Sequence, residues 1–271
     1  MTATAPLCLL FDSDGTLVDS EILLAQVMAE VLPRYGLPFT ATQYMEEFRG
    51  VRFLSIVQTQ EARHGALAES LFPKMEADMR EMMEARMRAE LEPITGMPEA
   101  LGALADHTKA VVSNGPERKI RCAMESAGLA HHFGDNLFSA YTLGVWKPDP
   151  ALYLKAANAM GYSPERCVVI DDAAVGVAAG LEAGMRVVHL NHFPEKETAP
   201  EGAIEIRHAS ELPEAIAEYV VRRERERFMA EVVDAANAIG EDGTASAEAR
   251  ALADTDGGQP LDDEAPNDWW R

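Results

Sequence analysis

The chain has 271 residues, 47% of them hydrophobic, which is enough to bury a full core in one α/β domain with a smaller inserted domain and a tail. Its formal charge of −21 offers no basic patch to a polyanion and argues against nucleic acid or an anionic membrane as partner. Met1 to Pro6 carries no basic region, and no apolar run is long enough to span a bilayer, so a cytoplasmic location is expected. Cys8, Cys122 and Cys167 lie in apolar or helical settings without metal-type spacing and read as reduced, buried thiols.

In chain order, the apolar run Leu7 to Leu10 reads as a buried strand that ends in Phe11-Asp12-Ser13-Asp14-Gly15-Thr16-Leu17-Val18-Asp19-Ser20-Glu21. From Ser20 to about Arg88 the pattern is helical. It comprises a first helix through Val31 that ends by Gly36 and Pro38, and further helices over Thr42 to Phe48, Phe53 to His64 and Leu67 to Arg88. Met75, Met79, Met82, Met83 and Met87 read as adaptable packing.

From Pro93 the pattern alternates between strand and helix, as in a parallel sheet built from βαβ units. Strands are expected at Ala110–Ser113, Leu137–Ser139, Cys167–Asp171, Val187–Leu190 and near Ile204–Ile206. The intervening helices are expected at Met97–Asp106, Glu117–Ser126, Pro150–Met160 and Val175–Ala183. A last helix starts near Glu211 and runs through the mixed-charge stretch Arg222 to Arg227 toward Ile239. Residues 240–271 read as an acidic disordered tail ending in Trp269-Trp270, a pair open to reading as incidental or as a docking contact.

Chemistry concentrates where strands end. Asp12 and Asp14 alternate on an extended segment and so face one side, and Gly15 lets the chain turn away; a plain Asp-Ser-Asp-Gly turn is the competing reading. In Val111-Val112-Ser113-Asn114-Gly115-Pro116, a hydroxyl, an amide and free N–H groups at a helix start form a phosphate-holding arrangement. Lys147 is framed by prolines in Trp146-Lys147-Pro148-Asp149-Pro150. The strand Val168 to Ile170 ends in adjacent Asp171 and Asp172, of which Asp172 is also a candidate helix cap. Four carboxylates at neighbouring strand ends call for a hard cation with oxygen ligands, Mg²⁺.

These segments, in this order, resemble the four motifs of the haloacid dehalogenase superfamily, in the phosphatase branch with a helical cap between the first motif and the rest. The resemblance implies a Rossmann-like parallel sheet core formed by residues 1–19 and 90–221. It also implies a cap over 20–89, followed by a helical extension over 222–239 and the tail.

In that family's terms Asp12 is the nucleophile, Asp14 the general acid and base, and Ser113 and Asn114 hold the phosphoryl group. Lys147 neutralises it. Asp12, the backbone carbonyl of Asp14, and Asp172 bind Mg²⁺, with Asp171 ligating directly or through water. Ala173 departs from the serine or threonine that commonly follows the fourth-motif acid, removing a hydroxyl beside the metal.

The loop Phe48-Arg49-Gly50-Val51-Arg52-Phe53 corresponds to the family's specificity loop, and Arg49 or Arg52 is expected to contact the leaving group. Up to about Val220 the chain is similar to bacterial sugar-phosphate phosphatases, in particular those acting on 6-phosphogluconate. A sugar-phosphate mutase of the β-phosphoglucomutase type shares the same motifs and stays open. So does, from another class, a non-catalytic module using the acidic tail. A dehalogenase is disfavoured by Asp14, and a phosphonate hydrolase by a cap whose one lysine, Lys74, lies in a solvated helical segment. The partner expected is a small phosphorylated substrate, as monomer or dimer.

Overall fold

A computed structural model describes residues 6–48, 51 and 53–241. Six parallel strands form one sheet in the order β3-β2-β1-β4-β5-β6, with β1 Cys8–Phe11, β2 Thr108–Ser113, β3 Leu137–Ser139, β4 Cys167–Asp171, β5 Arg186–Leu190 and β6 Ala203–Ile206. Both faces of the central strands are covered, which is why β1 and β4 read as continuous apolar runs instead of alternating ones. On one face Cys8, Leu10, Val112, Cys167 and Val169 pack against α9 (Ala151–Met160) and α10 (Ala174–Glu182). On the other, Phe11 meets Phe133 edge-on with ring centroids 5.8 Å apart. Each fully buried aliphatic side chain of this kind contributes roughly 1.5–3 kcal/mol.

Strand order reverses at β1, which lies between β2 and β4. Loops leaving the carboxyl ends of β1, β2 and β4 therefore diverge and open a crevice at that point. The chain leaves β1 for a helical insert and returns along itself. Val18 bridges Pro93, the Asp19 N–H donates to the Glu92 carbonyl at 3.1 Å, and that of Ile94 to the Leu17 carbonyl at 3.0 Å.

The insert holds α1 (Glu21–Arg34), α2 (Ala41–Gln43), α3 (Phe53–His64) and α4 (Phe72–Glu90). The single helix expected over Thr42 to Phe48 is instead α2, capped by the Thr40 hydroxyl, followed by a π turn over Tyr44–Phe48. That turn buries both of its aromatic rings, Phe48 against Phe39 at 5.7 Å. The helix expected from Leu67 starts at Phe72, because Pro73 fits a first turn and the preceding Glu69–Leu71 winds as a 3₁₀ turn. Met75, Met79, Met83 and Met87 are buried at four-residue spacing, and Met82 stands beside that stripe.

In the core, α5 (Met97–Ala103) stops short of Asp106 after Gly102. Helix α6 (Glu117–Ser126) follows the β2 loop. The four-residue helices α7 (Ala130–Phe133) and α8 (Ala140–Leu143) are too short to leave a periodic signature. Cys8, Cys122 and Cys167 are buried free thiols that form no disulfide. The chain divides into two compact units, up to Ala215 and from Ile216 onward. The described part of the second is the continuation of α11 (Leu212–Glu241), where Arg222 to Arg227 are mostly exposed. Trp269 and Trp270 lie outside the described residues. No described helix is long and apolar enough to cross a membrane.

Candidate active site

Register places the first two carboxylates side by side. Phe11 pairs with Ile170, and the Asp12 N–H donates to the Ile170 carbonyl at 2.9 Å, so Asp12 and Asp171 leave adjacent strands at one level. Lys147, arriving from the loop before α9, donates to Asp12 Oδ1 at 2.6 Å and Asp171 Oδ2 at 2.7 Å. Its side chain is only 3% exposed.

The Tyr153 hydroxyl donates to the same Asp171 oxygen at 2.7 Å, and its ring lies 5.1 Å from the Lys147 ammonium. The other Asp171 oxygen accepts the Ala173 N–H at 2.9 Å. Gly176 is obligatory here, since a Cβ at that position would overlap the Asp171 carboxylate.

Asp172 is held from the first motif. The Thr16 hydroxyl donates to Asp172 Oδ1 at 2.9 Å and accepts the Asp172 N–H at 3.0 Å. Thr16 thus supplies a hydroxyl that Ala173 does not. Asp172 does not cap the following helix; Ala173 occupies that position, and the Asp172 carboxylate turns toward Thr16. Gly15, at φ 83°, makes the turn in the left-handed region, and a Cβ there would overlap the Asp172 carboxylate.

Oxygens of Asp12, Asp171 and Asp172 lie within 4.8 Å of one another. Burial, with Asp171 and Asp14 nearby, pushes Asp12 up to about 7 despite Lys147. Burial and the charges of Asp171 and Asp12 raise Asp172 well above the usual carboxylate range. Lys147 is itself raised, because the attraction of Asp12 and Asp171 overcomes the burial that would lower it. Three clustered carboxylates lie beside one buried ammonium that pairs with only two of them, Asp12 and Asp171, and the uncompensated charge is what a hard divalent cation with oxygen ligands would relieve. The donor set fits Mg²⁺.

Asp14 turns away from this cluster. Its Oδ1 accepts the Ser20 hydroxyl, and its Oδ2 pairs with Lys119 on α6 at 2.7 Å. Burial alone would raise Asp14, but Lys119 and Ser20 hold it below the usual range. The period of two brings Asp12 and Asp14 to one cleft, yet the turn at Gly15 sends their carboxylates to different partners.

The Ser113 hydroxyl accepts the Gly115 N–H at 3.0 Å. Asn114, expected to donate to a phosphate, spends its side chain on the Lys147 backbone, accepting the Lys147 N–H at 2.9 Å and donating to its carbonyl at 3.5 Å. Arg49 and Arg52 lie outside the described residues. Sequence reasoning did not find Thr16, Ser20, Tyr153 or Lys119. The last carried a signal, a lysine within the basic run Arg118 to Arg121, one turn beyond a phosphate-type loop in a strongly acidic chain.

Residues 7–184 match the model of the haloacid dehalogenase-like hydrolases. The chain is 34% identical over 207 residues to 6-phosphogluconate phosphatase of Escherichia coli, covering 75% of this chain and 91% of that protein. It is 31% identical to hexitol phosphatase A of the same organism, covering 67% of this chain and 82% of that one. Among solved structures, a HAD family hydrolase from Deinococcus radiodurans with bound phosphate and sodium is 31% identical, with a TM-score of 0.61 and coverage of 79% and 96%. With the family model spanning more than half of its length, the chain belongs to the haloacid dehalogenase-like hydrolases.

Proposed function

We propose that the protein is a Mg²⁺-dependent phosphatase that hydrolyses a small phosphate monoester, a sugar phosphate or sugar-acid phosphate such as 6-phosphogluconate, through an aspartyl phosphate. The observation that carries this reading is the Asp12–Lys147–Asp171 network at the switch point of the sheet. Similarity to phosphatases of 6-phosphogluconate and of hexitol phosphates supports the substrate class.

Asp12 attacks phosphorus, the P–O bond to the leaving alcohol breaks, and Asp14, which must enter this half-reaction protonated although Lys119 and Ser20 favour its ionised form in the free site, gives that alkoxide its proton. Asp14 then takes a proton from the water that attacks the aspartyl phosphate, which returns free Asp12 and inorganic phosphate. Lys147 offsets charge on the phosphoryl oxygens and fixes the Asp12 carboxylate. Ser113 and the N–H groups of its loop donate to the same oxygens, and Asn114 holds the Lys147 backbone in place.

Asp12, Asp172 and the Asp14 carbonyl, with Asp171 beside them, would hold Mg²⁺, whose charge would offset the repulsion between an anionic nucleophile and an anionic phosphate. Residues 20–89 act as the cap, and Arg49 and Arg52 belong to its substrate loop.

Phosphate release across a panel of sugar and sugar-acid phosphates, with and without Mg²⁺, tests this reading. Asp12→Asn is expected to lose at least about 10³-fold in turnover with its fold intact. Wild-type turnover by that variant would refute the covalent scheme, and isomerised sugar phosphate without free phosphate would indicate a mutase instead.

A further inference from the structure

Two lysines meet the carboxylates of this site, and they differ in access. Lys147 is sealed between Asp12 and Asp171, while the Lys119 side chain is 24% exposed and pairs with Asp14, itself 23% exposed. Lys119 stands in the first turn of α6, directly after the Ser113 loop. A Cβ placed on Gly115 would lie 3.4 Å from Ser113 Oγ and 3.7 Å from Lys119 Cδ, so the lysine stem runs over the loop beside the serine hydroxyl. Its ammonium therefore sits between the loop assigned to the phosphoryl group and the carboxylate assigned to the departing oxygen. That is where the leaving alcohol must lie.

An ammonium has three donors, and the pair with Asp14 uses one. Next to it, Arg118 turns the other way and pairs with Glu84 of the insert at 2.6 Å. A carboxylate on the leaving alcohol would enter a cleft already holding Asp12, Asp14, Asp171 and Asp172, in a chain of formal charge −21. Such a substrate calls for a cation on the core side besides Lys147, in addition to any arginine of the specificity loop.

Taking the phosphatase activity as given, we propose that Lys119 is a specificity-determining residue that binds an anionic group on the leaving alcohol and selects sugar-acid phosphates over neutral sugar phosphates. The ammonium turns from Asp14 to the substrate carboxylate, exchanging one charge-assisted partner for another.

A matched pair of substrates reads this directly. 6-Phosphogluconate and glucitol 6-phosphate share one carbon skeleton and differ by a terminal carboxylate against a hydroxymethyl group. The wild-type protein is expected to favour the acid in kcat/KM, and Lys119→Met to lower the acid-to-alcohol ratio about tenfold or more. Lys119→Arg should restore part of that ratio.

A lysine that only positions Asp14 would lower both substrates equally, and an unchanged ratio would overturn the proposal. Calorimetric binding of the same two compounds to Asp12→Asn, with and without Lys119→Met, gives the same comparison without turnover. If wild-type protein releases phosphate from neither compound nor from any member of the panel but Asp12→Asn binds the acid in a Lys119-dependent way, the phosphatase reading fails and the role of Lys119 stands. Equal affinity for the acid with and without Lys119, or binding of neither compound, overturns the proposal.

Discussion

Two lysine–aspartate pairs at the carboxyl end of one sheet differ in surroundings and so in what they can do. The inner pair, Lys147 with Asp12, lies at 2.6 Å with side chains 3% and 12% exposed, and Asp171 and Tyr153 close it from behind. The rim pair, Lys119 with Asp14, lies at a similar 2.7 Å with both side chains about a quarter exposed. A buried charge cannot change partners without crossing a low-dielectric interior, so the inner network is fixed and serves whatever is common to every substrate. The rim pair remains in reach of water and ligand, and is suited to the part that varies.

Removing the inner cation should produce the largest effect. Lys147→Met leaves Asp12 and Asp171 facing each other without a cation, and should lower stability by about 3 kcal/mol in urea unfolding and activity by at least about 10³-fold. Full activity in that variant would erase the distinction between inner and rim lysines.

Gly176→Ala comes next. Its methyl group must displace the Asp171 carboxylate, for an expected loss of about 1–3 kcal/mol and a clear fall in kcat, although no charge is altered. Unchanged kcat would show that the placement of Asp171 does not matter.

Proton linkage gives a smaller, graded test. Asp12 is raised from 3.8 to about 7 and Asp172 is raised as well, so the folded, metal-free protein binds more protons than the unfolded chain across that interval. The contribution of these two carboxylates to stability should therefore fall as pH rises from about 4 to 7, against the opposite, smaller trend from His107 and His132, which burial lowers. Added Mg²⁺ should raise the Tm near pH 7.5 and do little near pH 5; a Tm flat with pH in the metal-free protein would count against the uncompensated inner charge.

The smallest effect is expected at the surface. The Arg118 side chain of the Arg118–Glu84 pair is 85% exposed, so Arg118→Ala should shift stability by less than about 0.5 kcal/mol, which bounds what a rim ion pair contributes by itself.

Strand ends and their carboxylates were legible in the sequence because an apolar run followed by Asp or Ser is a one-dimensional signal. Asp12, Ser113, Asp171 and Asp172 were read this way, and Lys147 from the prolines that frame it. Tyr153 and Thr16 were not, because each acts across a long chain separation; the Thr16–Asp172 bond joins residues 156 positions apart. The bond of Asn114 to the Lys147 backbone was not legible for the same reason, since that partner is 33 residues away. In the insert, local chemistry at Thr40 and Pro73 moved the helix boundaries, whereas the methionine stripe kept the spacing read from sequence.

The Lys147–Asp12 bond closes a separation of 135 residues, and Lys147 also reaches Asp171. In the kinetics of folding this is a late event, because loop closure of that size is unfavourable until the parallel strands on either side have paired. Regain of phosphate release during refolding should accordingly track the slowest structural phase, which makes turnover a reporter of the finished sheet.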